Sequence, residues 1–317
     1  MKSSEYLPNG LRPRWVVGLG ELIWDMLPEG KQLGGAPANF AYISSILGNR
    51  VAIASRVGPD QLGREAQERL ERMSISTDYL QVDGEHPTGT VGVEIGARGE
   101  AHFAVNENSA WDYLAWTDEW EQLARRADAV CFGTLGQRQP QARETILRFL
   151  GATCADAVRV FDVNLRHSFF TPELLKESLG LATIVKLSSE ELTSVARLLA
   201  LDAAGEEALA QKLMLHFEVK LVAVTRGERG SLLVSGEEIV NHPGLRVMVR
   251  DTIGAGDAFT ATLAHYYMRG APLEVMSEAA NRMGAWITTQ AGATPEVSRE
   301  QLAEILGDPN RRPLAPG

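Results

Sequence analysis

The chain has 317 residues, about twice the ~150 that serve as a prior for one domain, so one large α/β unit and two smaller ones both fit. Its composition, 44% hydrophobic and 23% charged, is too apolar for a disordered chain and sufficient for a sizeable core. A formal net charge of −10 argues against general affinity for nucleic acid or an anionic membrane, while leaving open a local anion site built from backbone amides.

Cys131 and Cys154 lie in apolar or small-residue surroundings with no CxxC pairing, so neither a disulfide framework nor a zinc site is expected. The opening residues carry no apolar signal core, and no run approaches the ~18 apolar residues of a membrane span. A cytoplasmic protein with no membrane partner is the expectation.

Short apolar runs at 15–19, 51–55, 129–132, 158–162, 184–187 and 221–224 contain several β-branched residues and predict buried strands. Between most of them the spacing predicts helices over 36–47, 62–73, 141–154, 173–179, 190–199 and 206–216. Strands alternating with helices predict an α/β architecture with a mostly parallel sheet covered on both faces. Beyond about residue 225 the pattern changes to short strands at 230–234, 238–240 and 247–250. Helices at 258–268, 273–289 and 299–306 follow, and the Pro-rich tail reads as loose.

The stretch 82–105 breaks the alternation. Val91, Val93 and Ile95 alternate with small or polar residues, and a turn at Ala97-Arg98-Gly99 leads into a second strand-like run. Such an antiparallel hairpin reads as a flap over the main unit, with an ordinary edge hairpin as the alternative.

The most informative segment is RDTIGAGDAF, Arg250 to Phe259. Gly254, Ala255 and Gly256 lead into a helix whose apolar positions Phe259, Leu263, Tyr266 and Tyr267 recur at helical spacing. Small residues there let backbone N–H groups at a helix N-terminus approach a ligand, and those donors together with the dipole favour negative charge. Asp257 falls in the first turn, a carboxylate beside the amides. That pairing suits phosphoryl transfer: amides stabilise the moving phosphoryl oxygens while the carboxylate takes a hydroxyl proton. Taken alone, the segment equally fits a glycine-rich turn with an Asp capping the helix.

A second segment, Gly34-Gly35-Ala36-Pro37-Ala38-Asn39, opens another helix. Its glycines allow close backbone approach to a small polar ligand, and Asn39 is one turn along, able to reach the same pocket. Asp25 follows the first strand, where the ligand crevice of an open α/β sheet lies. A carboxylate and an amide together can serve several sugar hydroxyls, although Asp25 alone also reads as a solvated loop acid. The chain has no GxxxxGK[ST] loop, and Gly18-Leu19-Gly20-Glu21 lacks the third glycine of a dinucleotide fold.

With Asp251, Thr252, Gly254, Ala255, Gly256 and Asp257 matching DTxGAGD, and GGAPAN standing upstream, the chain resembles the ribokinase/PfkB family of sugar kinases over essentially its whole length. The resemblance implies a ribokinase-like three-layer α/β/α sandwich over residues 1–317, with a β lid formed by about 24–34 and 82–107. It implies ATP and magnesium as cofactors, with potassium as a monovalent cation, and a homodimer clasped through the lid. Asp257 with the Gly254–Ala255–Gly256 amides and Arg166 would be catalytic. Asp25, Gly34, Gly35, Asn39 and Phe103 would contact the sugar, Phe103 being equally readable as a clasp residue.

Further matches follow in chain order. Asp162-Val163-Asn164-Leu165-Arg166 resembles a DxNxR segment, placing Asn164 near the nucleotide and Arg166 near the sugar or the transferred phosphoryl; a strand-end salt bridge is the plain alternative for Arg166. Lys186 to Glu191 occupies the place of the family's NxxE motif, with Ser188 at the Asn position and Glu191 at the Glu that orders magnesium; Glu190 and Glu191 also read as helix-surface acids. Thr225 and Gly227 match a VTxGxxG that lines the nucleotide, and Asn281 is a candidate adenine contact or a helix-surface amide. By resemblance, Asp251 and the carbonyls of Ile253, Ile287, Gln290 and Gly292 would hold the monovalent cation. Pro87-Thr88-Gly89-Thr90-Val91, Ala110-Trp111-Asp112, the GGAPANFA segment and Gly292-Ala293-Thr294-Pro295 together look most like bacterial fructokinases. Other acceptors, such as 2-keto-3-deoxygluconate or ribose, and a non-catalytic sugar-binding regulator stand as alternatives. His86, His102 and His167 show no metal-ligand spacing.

Overall fold

The computed structural model describes residues 14–27, 30–95, 101–236 and 238–307, with backbone alone described at 93–95 and 101–103. The expected turn at 97–99 and the Pro-rich tail lie outside the described residues. One sheet runs, edge to edge, through Glu238–His242 (β13), Ser231–Ser235 (β12), Leu221–Thr225 (β11), Ile184–Ser188 (β10), Val158–Asp162 (β9), Ala129–Gly133 (β8), Trp15–Leu19 (β1), Arg50–Val57 (β4) and Leu80–Val82 (β5). β11 through β5 in that order are parallel, and β12 and β13 close one edge as antiparallel strands.

The strands run apolar because both faces are covered. Val17, Leu19, Val130, Phe132 and Phe161 pack toward one core. It is completed by Asp118–Arg126 (α3), Pro140–Ala152 (α4), Pro172–Leu181 (α5), Ser189–Leu198 (α6) and Glu206–Phe217 (α7). Val16, Cys131, Val160 and Ala223, displaced by the two-residue period of a strand, pack toward the other core. There they meet Ala36–Ile46 (α1), Gln61–Arg72 (α2), Ala255–Tyr267 (α8), Leu273–Thr288 (α9) and Arg299–Leu306 (α10).

A second, four-stranded sheet is the lid, in the order Gly30–Gly34 (β3), Ile23–Leu27 (β2), Gly89–Ile95 (β6) and Ala101–Val105 (β7). The lid therefore begins at residue 89 on its second segment, because Val82 belongs to β5 of the large sheet. The three-residue β5 is too short to show a period and was not foreseen. The strand expected at 247–250 does not form. Val247, Met248 and Val249 are exposed and unpaired, the chain having left the sheet at Pro243-Gly244.

The order of the parallel strands reverses at β1. The chain steps from β1 to β4 and β5 on one side, then returns with β8 and β9 on the other. A crevice opens at the carboxyl ends of strands at such a point, and Glu21, Thr134 and Asn164 all follow strands there. The turn after β8 is fastened to the base of the lid by a fully buried ion pair. Arg138 donates from Nε to Asp112 Oδ1 and from Nη2 to Oδ2, each at 2.7 Å. Its guanidinium also stacks 4.1 Å from the Trp111 ring.

Removing one partner of such a pair leaves an uncompensated buried charge. Asp112→Ala is expected to lower the unfolding free energy by about 3–5 kcal/mol in urea titrations. The double variant Asp112→Ala/Arg138→Leu should lose less. A single-variant loss below about 1 kcal/mol would show that the pair is not a structural tie.

Candidate active site

The amino end of α8 faces the crevice. Gly254 caps it with φ 77°, a left-handed backbone, and a Cβ there would stand 2.4 Å from the Ala293 Cβ. The Ala255 amide bonds back to the Thr252 carbonyl at 3.3 Å. Those of Gly254, Gly256 and Asp257 find no acceptor among the described residues. Three free N–H groups at a helix N-terminus form an anion hole.

Asp257, in the first turn of α8, accepts a 2.8 Å hydrogen bond at Oδ2 from the Asn39 Nδ2 of α1. Burial pushes the Asp257 carboxyl up to about 6, and the negative Asp162 adds to the rise. The Asn39 bond, Lys186 and Arg166 pull the other way. An acid that gives up its proton just below neutrality can accept one from a hydroxyl at neutral pH.

Beneath the anion hole lies a buried ion pair that the sequence reading left without a role. Lys186 Nζ, on β10, is 3.2 Å from Asp162 Oδ1, and Thr260 of α8 donates to Asp162 Oδ2 at 2.9 Å. Burial alone would lower the Lys186 ammonium, but Asp162, Glu191 and Asp257 outweigh it and hold the group charged. A Cβ on Gly256 would stand 2.9 Å from Lys186 Nζ, so the glycine is what lets the cation lie under the helix end. A lysine inside the apolar run Ile184-Val185-Lys186-Leu187 was the available signal.

On the lid side, Asp25 of β2 and Gly34 of β3 line a cleft of about 430 Å³ together with Trp24, Gln32, Ile253 and Gly292. Asp25 Oδ2 occupies the space a Gly34 side chain would need, at 2.6 Å from the Cβ position. Burial raises the Asp25 carboxyl, and Arg166 offsets part of the rise. The Arg166 guanidinium forms no hydrogen bond or ion pair among the described residues, so the strand-end salt bridge is not made; its carbonyl accepts from the Phe169 amide at 3.1 Å. Its charge nevertheless acts on Asp25, Asp257 and Glu21. Asn164 adopts φ 39°, rare for a residue with a side chain, and its carbonyl accepts from Thr134 Oγ1 at 3.2 Å. Gly35 is the N-cap of α1, and Phe103 is on β7 with its side chain outside the described residues.

The remaining candidates have local tasks. Ser188 caps α6, and Glu191 completes the capping box. The Glu191 carboxylate accepts from the Ser188 and Leu165 amides, both at 2.7 Å, and so joins the ends of β9 and β10. Thr225 Oγ1 is 3.5 Å from the Leu187 carbonyl, and Gly227 has open space where a side chain would be. Asn281 is buried in α9, its amide nitrogen donating to Ser231 Oγ at 2.7 Å and to the Ser277 carbonyl at 2.8 Å. It is an interior amide, not a helix-surface one. Asp251 accepts from the Ile253 and Gly292 amides at 3.0 Å each, drawing together the two loops expected around the cation. The Ile287 carbonyl accepts from the Gln290 amide at 2.9 Å in the turn that ends α9.

The raised Asp257 carboxyl has a consequence for stability. The unfolded chain releases this proton near 3.8 and the folded chain near 6, so the stabilising contribution is complete below 3.8 and is lost as pH rises to 6. Asp257→Asn cannot ionise. Urea unfolding should therefore show the variant gaining about 2–3 kcal/mol on the wild type between pH 4 and pH 7. An equal pH dependence in both proteins would place the buried charge elsewhere.

Comparison with known proteins agrees with this geometry. Residues 28–299 match the model of the pfkB family carbohydrate kinases. A fructokinase from Vibrio alginolyticus is 30% identical over 314 residues, covering 92% of this chain and 98% of its own. The crystal structure of an uncharacterized sugar kinase from Pyrococcus horikoshii superposes with a TM-score of 0.79 at 28% identity, over 92% of this chain and 99% of that one. A Vibrio cholerae fructokinase structure with fructose, ADP and calcium bound gives 0.78 at 26% identity, over 92% and 99%. The chain belongs to the pfkB family of carbohydrate kinases, with the ribokinase-like fold.

Proposed function

We propose that this kinase transfers the γ-phosphoryl group of ATP to a terminal hydroxymethyl of a monosaccharide, with fructose as the acceptor. The observation that carries the reading is the Asn39–Asp257 hydrogen bond, which joins the amino end of α1 to the carboxylate beside the free amides of α8 and supports a polyol site next to an anion hole. Relatives named fructokinase at about 30% identity, and the segments that resemble bacterial fructokinases, support the choice of sugar.

The sugar lies under the lid, its hydroxyls shared between Asp25 and Asn39, with the Gly34-Gly35 backbone close by. Asp257 takes the proton of the attacking hydroxyl. The free amides of Gly254, Gly256 and Asp257 and the Arg166 guanidinium offset the negative charge of the moving phosphoryl group. The orphan amides and the open space at Gly227 fit the phosphates of ATP, with Asn164, Ser188 and Thr225 along the same edge. Magnesium, when bound, neutralises phosphate charge; Glu191, its carboxylate already engaged by two amides, would reach it through water. Asp251, with Ile253 and Gly292 beside it, would hold potassium. The lid pairs with a second copy of the chain through its outer face, where Met26 is exposed. No described helix is long and apolar enough to cross a membrane, consistent with work in the cytoplasm.

Steady-state kinetics with a panel of sugars tests this reading. Fructose should give the highest kcat/KM, above ribose and 2-keto-3-deoxygluconate. Asp257→Asn should lower kcat by roughly 10²–10⁴, the usual worth of a general base, with smaller changes in binding. Asp25→Ala should chiefly raise the sugar KM. Near wild-type turnover in Asp257→Asn would remove that residue from the chemistry, and an unchanged KM in Asp25→Ala would place the sugar elsewhere.

A further inference from the structure

A second carboxyl shares the crevice with Asp257. Glu21 follows β1 directly, where the strand order reverses, and is 2% exposed. Its Oε2 is buried with no hydrogen-bond partner among the described residues, packed against the Gly136 turn at 3.2 Å from the Cβ position of that glycine. No described cation forms an ion pair with it. A buried carboxylate with an orphan oxygen and no paired cation is strongly disfavoured, and the neutral acid escapes that penalty.

Asp257 acts on Glu21 from α8, Arg166 from the loop after β9, and Cys131 lies near it on β8; the contacts from α1 and the Gly136 turn are uncharged. Burial raises the Glu21 carboxyl to about 7 and the Asp257 charge adds to the rise. The Glu21 and Ala36 amides and Arg166 act the other way. The Cys131 thiol is pushed well up by its own burial and stays neutral.

We propose that Glu21 is a positioning residue: protonated, it lets the Glu21–Asp257 pair carry one negative charge, so that Asp257 is a base in a crevice still open to an anionic phosphoryl group. Ionisation of Glu21 places a second negative charge behind the first and repels the phosphoryl oxygens. The inference rests on the kinase reading for its kinetic consequence, and on the buried geometry alone for the protonation state.

The test has two arms on the full chain. In kinetics, wild-type kcat/KM should rise as Asp257 loses its proton near pH 6 and fall again as Glu21 loses its own. Glu21→Gln should keep the acid limb and lose the alkaline one. In infrared spectra without substrate, the carbonyl band of a protonated carboxylic acid should titrate near neutrality and be missing from Glu21→Gln. In Asp257→Asn that band should titrate at lower pH, because the neighbouring charge is gone. This last measurement decides the matter if Glu21→Gln does not fold. Both limbs persisting in Glu21→Gln, a wild type with no alkaline limb, or a band that stays put in Asp257→Asn overturns the proposal. Failure to phosphorylate any sugar would sink the kinase reading and leave the infrared arm to judge Glu21.

Discussion

A single hydrogen bond between Asn39 and Asp257, residues 218 positions apart, constrains the rest of the crevice. It joins the amino ends of α1 and α8, which pack against one another in the same apolar core and converge at the carboxyl edge of the sheet. Both helices direct the positive ends of their dipoles at that point, and α8 adds amides that find no acceptor among the described residues. The fold therefore gathers partial positive charge without spending a side chain on it. This is how a protein of net charge −10 can present a surface suited to phosphate.

The charges around that bond are layered. Asp162 and Lys186 form a neutral pair beneath the end of α8, Asp257 stands in its first turn, and Arg166 acts on Asp257 with a guanidinium that is unpaired among the described residues. Lys186 is bound to a partner and shapes the field from underneath. Such an arrangement is costly for the folded state, since Asp257 is held away from water. Stability is conceded at the residue proposed as the base.

The parallel strands, the helices between them and both halves of the crevice were legible from the sequence. Buried parallel strands are written as continuous apolar runs, and DTIGAGD and GGAPAN are local strings whose chemistry can be inferred without contacts. Lys186, Asp162 and Glu21 were not read as parts of the site, because their roles come from burial and from partners on other elements. Ser188 and Glu191 show the converse: a capping box was plainly spelled, but the tie from Glu191 to the Leu165 amide needed three dimensions. The alternation at 247–250 misled because a period of two specifies a strand only where another strand is available to pair with it.

The lid is attached to the main sheet through very little slack chain. Only residues 20–22 separate β1 from β2, and Gly35 alone separates β3 from α1. A rocking motion of the lid must pivot on those short links, and the second one runs straight into the helix that bears Asn39. Lid and crevice are thus geared together: any tilt of the four-stranded sheet is passed to the helix end that holds the Asn39–Asp257 hydrogen bond.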